Sequence, residues 1–274
     1  AEPLLAWYDA GRRILPWREK PTPYRVWVSE IMLQQTRVEA VKPYYDRFME
    51  RLPDIPALAA ADEETLLKLW EGLGYYNRVR NLKKAAIRIM EEYGGIMPGT
   101  RKELMELPGI GSYTAGAVAS IAYGRREPAV DGNVLRVFAR ILCDGRDMTQ
   151  QAVRRQMEER IGQQMPADRP GDFNQALMEL GAMVCIPNGA PKCGECPWKS
   201  FCLAMQRGEW ARFPAKPEKK PRVIEEKTVL ILWDEGRAAL QKRPSKGLLA
   251  GMYEFPSLEG RLSGQEVLVR LREM

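Results

Sequence analysis

Four of the five cysteines, Cys185, Cys193, Cys196 and Cys202, fall within 18 residues at a spacing of C-x7-C-x2-C-x5-C. A fold for this chain must accommodate four thiols on one short loop. Clustered thiolates in a chain with no secretory features suit a metal centre better than a set of disulfides. Zinc ribbons usually present two C-x2-C knuckles, whereas this stretch has one. A single compact loop feeding four thiolates suits a [4Fe–4S] cube. The spacing therefore favours iron–sulfur over zinc, with buried or disulfide-paired cysteines as the plainer alternative. Cys143 lies apart on an apolar segment and reads as a core residue.

The chain contains no histidine. That excludes a Ser-His-Asp triad, a Cys-His pair and a His-ligated metal. Proton transfer is left to Asp, Glu, Lys, Tyr or Cys. Lys and Arg exceed Asp and Glu by 42 to 36, a net charge of +6 that by itself points only weakly to a polyanion partner. No run of about 18 apolar residues is present, so no membrane partner is expected. Ala1–Tyr8 lacks the layout of a signal peptide, which leads to the expectation of a cytoplasmic protein.

From residue 1 to about 207, apolar residues recur at three- and four-residue spacings, punctuated by Gly and Pro. Thr22-Pro23 reads as an N-cap with Pro at N1, opening a helix to about Glu39. Further helices are predicted near 43–51, 63–71, 78–93, 101–106, 113–123, 133–142, 150–164 and 171–184. Residues 213–226 (FPAKPEKKPRVIEE) are rich in proline and charge and read as a linker. After them the period changes. Thr228–Trp233 reads as a buried strand, Asp234–Gly236 as a turn and Arg237–Arg243 as a second strand. A smaller α/β or all-β domain thus begins near 227, and the chain is expected to stop inside it.

Leu107–Tyr123 (LPGIGSYTAGAVASIAY) places Pro-Gly-Ile-Gly between a charged helix and a small-residue helix. Gly109 and Gly111 permit positive φ and close approach of a ligand, and Ser112 can cap the second helix. Its N-terminal amides would then suit one DNA phosphate. The plainer alternative is an ordinary helix–turn–helix corner. Because the glycines lie between two helices, a strand-linked dinucleotide site is disfavoured.

Two carboxylates stand out. Glu30 shares a helical face with Val26 and Leu33, and an acid among such neighbours should have a raised pKa; an exposed surface Glu is the alternative. Asp131 precedes Gly132, Asn133 and the apolar VLRVFARIL, where it also reads as an N-cap.

LPGIGSYTAGAVASIAYG, VDGNVLRV and the cysteine cluster together resemble the helix-hairpin-helix DNA glycosylases of the endonuclease III superfamily. LPWR at 15–18, WVSEIMLQQT at 27–36 and GLGYYNRVRNL at 72–82 are similar to the MutY-type adenine glycosylases. The resemblance runs from about Ala6 to Phe255. It implies a mainly α fold of two modules, one over 18–123 with the hairpin and one over 1–17 plus 124–212 with the iron–sulfur loop. It also implies that 227–274 is the N-terminal part of a truncated Nudix-like lesion-recognition domain, on the motif KGLLAGMYEFPSLEG. The Nudix hydrolase box is not seen before Met274, which argues against nucleotide hydrolysis.

The implied activity is monofunctional base excision repair of adenine opposite 8-oxoguanine or guanine in double-stranded DNA. A monomer in the bacterial cytoplasm, associated with the nucleoid, is the implied setting. Glu30 would protonate adenine N7. Asp131 would stabilise the oxocarbenium-like sugar, with a transient C1′ adduct open to it, and Tyr113 and Asn133 would support both. Superfamily members that also cut the strand carry a lysine where Tyr113 stands, and Tyr cannot form a Schiff base. Leu33, Gln34 and Gln35 would fill the vacated stack, Tyr75 would intercalate beside the opposite base, and Arg18 and Gln175 would line the adenine pocket. Gly109, Gly111 and Ser112 would hold a phosphate, and Arg78, Arg80, Lys83 and Lys84 would form a cationic patch. Cys185, Cys193, Cys196 and Cys202 would ligate the [4Fe–4S] cluster. The seven residues between the first two cysteines (IPNGAPK) are one more than the family's usual spacing, which bears on loop shape and on any DNA contact by Lys192.

Overall fold

A computed structural model of the chain describes residues 1–215, 221–244, 247, 249 and 251–273. It divides into two compact units, 1–217 and 218–274. The first unit is helical: α1 (Glu2–Gly11), α2 (Pro16–Glu19), α3 (Pro23–Leu33), α4 (Val38–Arg51), α5 (Ile55–Ala60), α6 (Glu63–Trp70) and α7 (Asn77–Tyr93) lead to the hairpin. The hairpin consists of α8 (Arg101–Glu106) and α9 (Ser112–Ile121), and α10 (Gly132–Leu142), α11 (Gln151–Gln164), α12 (Pro170–Glu179) and α13 (Leu203–Gln206) follow. No helix among the described residues is long and apolar enough to cross a membrane.

Local sequence explains most helix starts. Thr22 Oγ1 accepts from Arg25 N, with Pro23 at the first helical position of α3. At α8, Thr100 and Glu103 form a reciprocal capping box. The expected helix to Glu39 instead breaks at Leu33, because Gln35 adopts a left-handed φ of 59° before α4 begins. Helices α1, α2, α5 and α13 lie outside the predicted segments; α2 and α13 have only four residues and α5 six, too short to show a hydrophobic period.

Two separate hydrophobic cores form within this unit. One gathers α2 to α9, centred on Trp27, Phe48, Trp70 and Ala115. The other joins α1 to α10–α13 through Leu4, Tyr8, Phe138, Met157 and Phe173. Leu15 and Trp17, assigned to the second module in the sequence, pack in the first core instead, because α2 sits against α3 and α4. Phe213, assigned to the linker, is buried in the second core. The part of the expected linker at 216–220 lies outside the described residues.

Helix α9 packs against α3 and α12 and so stands between the two cores. Its small side chains are the reason it can. A Cβ on Gly116 would lie 2.1 Å from the Pro128 carbonyl oxygen, so only glycine lets that chain cross at contact distance.

Among the described residues the second unit contains three antiparallel strand pairs: β1 (Lys227–Val229) with β6 (Ser257–Glu259), β2 (Trp233–Asp234) with β3 (Arg237–Ala238), and β4 (Gln241–Lys242) with β5 (Tyr253–Glu254). Helix α14 (Gly264–Glu273) follows. The expected buried strand over 228–233 is broken into two short strands. Of its apolar residues only Leu230 is buried, while Ile231 and Trp233 are each 68% exposed. The turn falls where the sequence placed it, with Glu235 and Gly236 both at positive φ as a two-residue hairpin requires. Lys246, Leu248 and Ala250 of the KGLLAGMYEFPSLEG motif lie outside the described residues.

Candidate active site

Glu30 sits near the C-terminal end of α3 and is 5% exposed. Its Oε2 accepts a 2.5 Å hydrogen bond from the Tyr113 hydroxyl on α9. Burial pushes the Glu30 carboxyl up to about 7; Asp131 adds to that rise, while the Tyr113 bond and Arg18 oppose it. An acid so placed holds a proton near neutrality and can give it up. Tyr113 is itself raised well above the ordinary phenol, by burial first and then by Glu30 and Asp131, so it stays a donor.

Asp131 caps α10: Oδ1 accepts from Val134 N at 2.8 Å, and Oδ2 accepts from Asn133 Nδ2 at 2.7 Å. The cap holds the carboxylate at the helix mouth, beside Glu30 and Tyr113 in the same cleft. Asn133 Oδ1 in turn accepts from Arg136 Nη2 at 2.9 Å. Arg136, buried on α10, also donates to the carbonyls of Gly181 (2.7 Å) and Cys185 (2.9 Å). A Cβ on Gly181 would lie 2.7 Å from the Asn133 Cβ, so glycine lets α10 and the turn after α12 close on each other.

The same cleft is also lined by Arg18, Leu15, Trp17, Gln175 and Met178. Arg18 Nη1 pairs with Glu179 at 2.8 Å and donates to the Arg13 carbonyl. Glu179 is 1% exposed and accepts from Arg13 Nε as well. Arg18 Nε is buried with no hydrogen-bond partner in the structure. Nη1 is thus fixed by two acceptors, and a guanidinium held at one nitrogen suits a group that reads a ligand. Gln175, on α12, reaches the same cleft.

At the mouth lie Leu33, Gln34, Gln35 and Tyr75, with Arg37 and Arg154. Tyr75 is 67% exposed, which rules out an aromatic core role. Two members of the expected cationic patch have partners within the protein. Arg78 spends its donors on the main-chain carbonyls of Gln34, Leu73 and other residues nearby, and Arg80 pairs with Glu63 at 2.9 Å. Arg154, on α11, is an exposed cation at the cleft that the sequence reading did not single out.

In the hairpin Gly109 has φ +78°, and a Cβ there would lie 2.7 Å from Asn81 Cβ. Gly111 does not need positive φ: it is extended at φ −93° and is itself the N-cap position of α9. Nothing lies within 4 Å of a Cβ built on it, so the approach to the α9 amides is open. Ser112 is therefore not the cap. Its hydroxyl donates to Glu158 at 3.0 Å and accepts from Arg101 at 2.6 Å, a buttress from α11 that local sequence could not show.

Cys185, Cys193, Cys196 and Cys202 all line one largely apolar cavity with Val137, Leu180 and Trp210, and none is in a disulfide. Among the described residues no three His, Cys, Asp or Glu side chains converge as ligands of a single ion. Four thiols outside any disulfide around one cavity are the donor set that a [4Fe–4S] cluster would take. Burial pushes the Cys196 thiol up to about 11 and raises Cys193 and Cys202, with the neighbouring cysteines adding to each. A bound cationic group would be needed to hold them as thiolates. Arg140 Nη1 donates to Cys185 Sγ at 3.3 Å and to the Ile186 carbonyl at 3.0 Å.

Arg136, Arg140, Arg13 and Glu179 were missed in the sequence. The available signal was the pair of arginines four apart on the otherwise apolar VLRVFARIL, since a buried cation needs acceptors on both sides.

Residues 28–163 match the model of the HhH-GPD superfamily of base excision DNA repair proteins. The chain is 40% identical to the adenine DNA glycosylase of Homo sapiens, covering 96% of this chain and 58% of that one. It is 35% identical to that of Buchnera aphidicola subsp. Acyrthosiphon pisum, covering 98% and 76%. It spans between 46% and 61% of the length of the human, rat, mouse and Arabidopsis relatives. A thermostable thymine-DNA glycosylase structure superposes with a TM-score of 0.67 at 30% identity, covering 75% of this chain and 94% of that one. A non-covalent endonuclease III–DNA complex superposes at 0.63 and 23% identity, covering 75% and 94%, which speaks to the fold alone. Glu30, Tyr113 and Asp131 meet in a cleft between two helical cores, and with these matches the chain belongs to the adenine DNA glycosylase family of the helix-hairpin-helix base excision repair superfamily.

Proposed function

We propose that this protein is a monofunctional DNA glycosylase that hydrolyses the N-glycosidic bond of adenine mispaired with 8-oxoguanine or guanine in double-stranded DNA. The observation that carries the reading is Glu30, a buried carboxyl raised to about 7, in one cleft with the capped Asp131. Glu30 protonates the adenine ring and makes it a better leaving group. Asp131, held by Val134 N and Asn133, faces the positive charge that develops on the sugar. Asn133 and Tyr113 orient the two carboxylates and hold donors near the attacking water. Arg18 and Gln175 read the base.

The mispaired adenine must leave the duplex to reach this cleft, at a cost of about a few kcal/mol. Leu33, Gln34, Gln35 and Tyr75 lie at its mouth and fill the gap that the base leaves. The α9 amides beyond Gly111 hold a backbone phosphate, with Gly109 shaping the turn.

The four cysteines are the residues that would hold a [4Fe–4S] cluster, which as a bound group would brace the 185–202 loop beside α10. Residues 1–212 act as the glycosylase portion, and 227–274 as the beginning of a Nudix-like lesion-recognition domain. The protein acts as a cytoplasmic monomer on DNA.

A single-turnover assay on duplexes with adenine opposite 8-oxoguanine tests the reading: abasic product should accumulate, and strand breaks should appear only after alkali. Breaks without alkali would mean a lyase. Tyr113 argues against one, and no lysine lines the cleft among the described residues. A lack of abasic product would leave a DNA-binding module.

A further inference from the structure

Arg78 joins two loops that are far apart in sequence. Its Nη1 donates to the carbonyls of Ile31 (2.9 Å), Met32 (3.2 Å) and Gln34 (2.5 Å), at the end of α3. Its Nη2 donates to the carbonyls of Leu73 (3.0 Å) and Gly74 (3.3 Å), after α6. The guanidinium also lies 5.4 Å from the Trp70 ring centre and 5.6 Å from that of Tyr75. The last carbonyls of a helix have no helical partner and need a donor from elsewhere. Here one side chain supplies it, and the same side chain satisfies the second loop.

Each loop carries one non-glycine residue in the left-handed region, Gln35 at φ 59° and Tyr75 at φ 48°. Such backbone persists only where its surroundings over-determine it. Gln35 and Tyr75 are both exposed, and the Tyr75 ring rests against the Arg78 guanidinium itself. The planar five-donor fork of arginine can reach both sets of carbonyls at once, whereas the ammonium of lysine is a single point.

We propose that Arg78 is a positioning residue that locks the Gln34–Gln35 loop and the Gly74–Tyr75 loop into one rigid, two-pronged wedge, set before DNA binds. The functional half of this proposal rests on the reading above that Gln35 and Tyr75 enter the duplex. A pre-set wedge spends no binding energy on ordering its own loops when it displaces the base.

The full chain is compared with Arg78→Lys and Arg78→Met, and with Tyr75→Ala and Gln35→Ala. Hydrogen exchange of the DNA-free protein reads the lock directly. In both Arg78 variants the amides of 34–36 and 73–76 should exchange at least about tenfold faster, and together. Unchanged exchange, or loosening of one loop alone, overturns the lock.

Excision is then measured under single turnover on adenine opposite 8-oxoguanine and on adenine opposite an abasic-site analogue. Arg78→Lys should slow the paired substrate by about tenfold and the unpaired one by less than about twofold. An equal loss on both overturns the positioning role, since general destabilisation would not distinguish the substrates. If both loops loosen while Tyr75→Ala and Gln35→Ala leave the paired-to-unpaired ratio unchanged, the lock is supported and the wedge reading falls. If Arg78→Met does not fold, Arg78→Lys carries both measurements, and the exchange result decides the lock even where no adenine is released.

Discussion

The Tyr113 hydroxyl donates a 2.5 Å hydrogen bond to Glu30 Oε2, joining the second helix of the hairpin to the helix that carries the candidate acid. The bond favours the ionised carboxylate, while burial favours the neutral acid, and burial is the stronger of the two. The acid is therefore tuned by two opposed effects, one of which a single substitution removes.

Tyr113→Phe is predicted to raise the Glu30 pKa further, because the only change is loss of a donor to the charged form. The alkaline limb of the single-turnover rate should move to higher pH, with folding retained. A limb that stays in place or moves down would show that Glu30 is not the group titrating.

Glu30→Gln is predicted to abolish base release and to leave DNA binding largely intact. It should also change stability in a pH-dependent way. The carboxyl has a folded value near 7 against an ordinary 4.5, so the folded state holds the extra proton between those limits. That contribution is full below the lower value and is lost as pH rises through the upper one. At about pH 8 the glutamine variant should be more stable than the parent by roughly 3 kcal/mol, and near pH 4 by little. Urea unfolding at the two pH values checks this; an equal difference at both would contradict it.

Asp131 has two jobs that substitutions can separate. Asn can still cap α10, so Asp131→Asn should lose only a few tenths of a kcal/mol of stability, while Asp131→Ala should lose about 1 kcal/mol. Both should lower the excision rate by about 10²-fold or more, since neither carries the charge. Melting curves and single-turnover rates together make the distinction, and an active Asp131→Asn would remove Asp131 from the chemistry.

Glu179→Gln leaves Arg13 and Arg18 without their buried counter-charge. Breaking a buried pair on one side costs about 3 kcal/mol. The variant should be destabilised by roughly that amount, and its discrimination of adenine from other purines should weaken, because Arg18 is no longer held. Denaturation and excision on purine analogues are the measurements; unchanged discrimination would separate Glu179 from the base pocket.

The cysteine loop should yield a brown protein with about four iron and four sulfide per chain. Cys196→Ser should lose both the colour and the metal. A colourless protein with one zinc per chain would mean that the cavity holds a single ion.

The amino-acid sequence by itself determined the helical character of the first unit, most of its helix starts and the family. Those depend on local order: Thr22-Pro23, the Thr100–Glu103 box, the Asp131 cap and the glycine-rich hairpin all act within a few residues. The tertiary structure decided what local order cannot encode. Whether Glu30 is buried depends on α9 lying across α3. Arg78 was read as part of a cationic patch, yet the carbonyls it satisfies lie 44 to 47 residues away at the end of α3 and 4 to 5 away before α7. Likewise Glu179 has no local partner; it closes onto arginines more than 160 residues earlier. Charge–charge and hydrogen-bond partners are chosen by proximity in space, and only the packed chain brings these groups within reach.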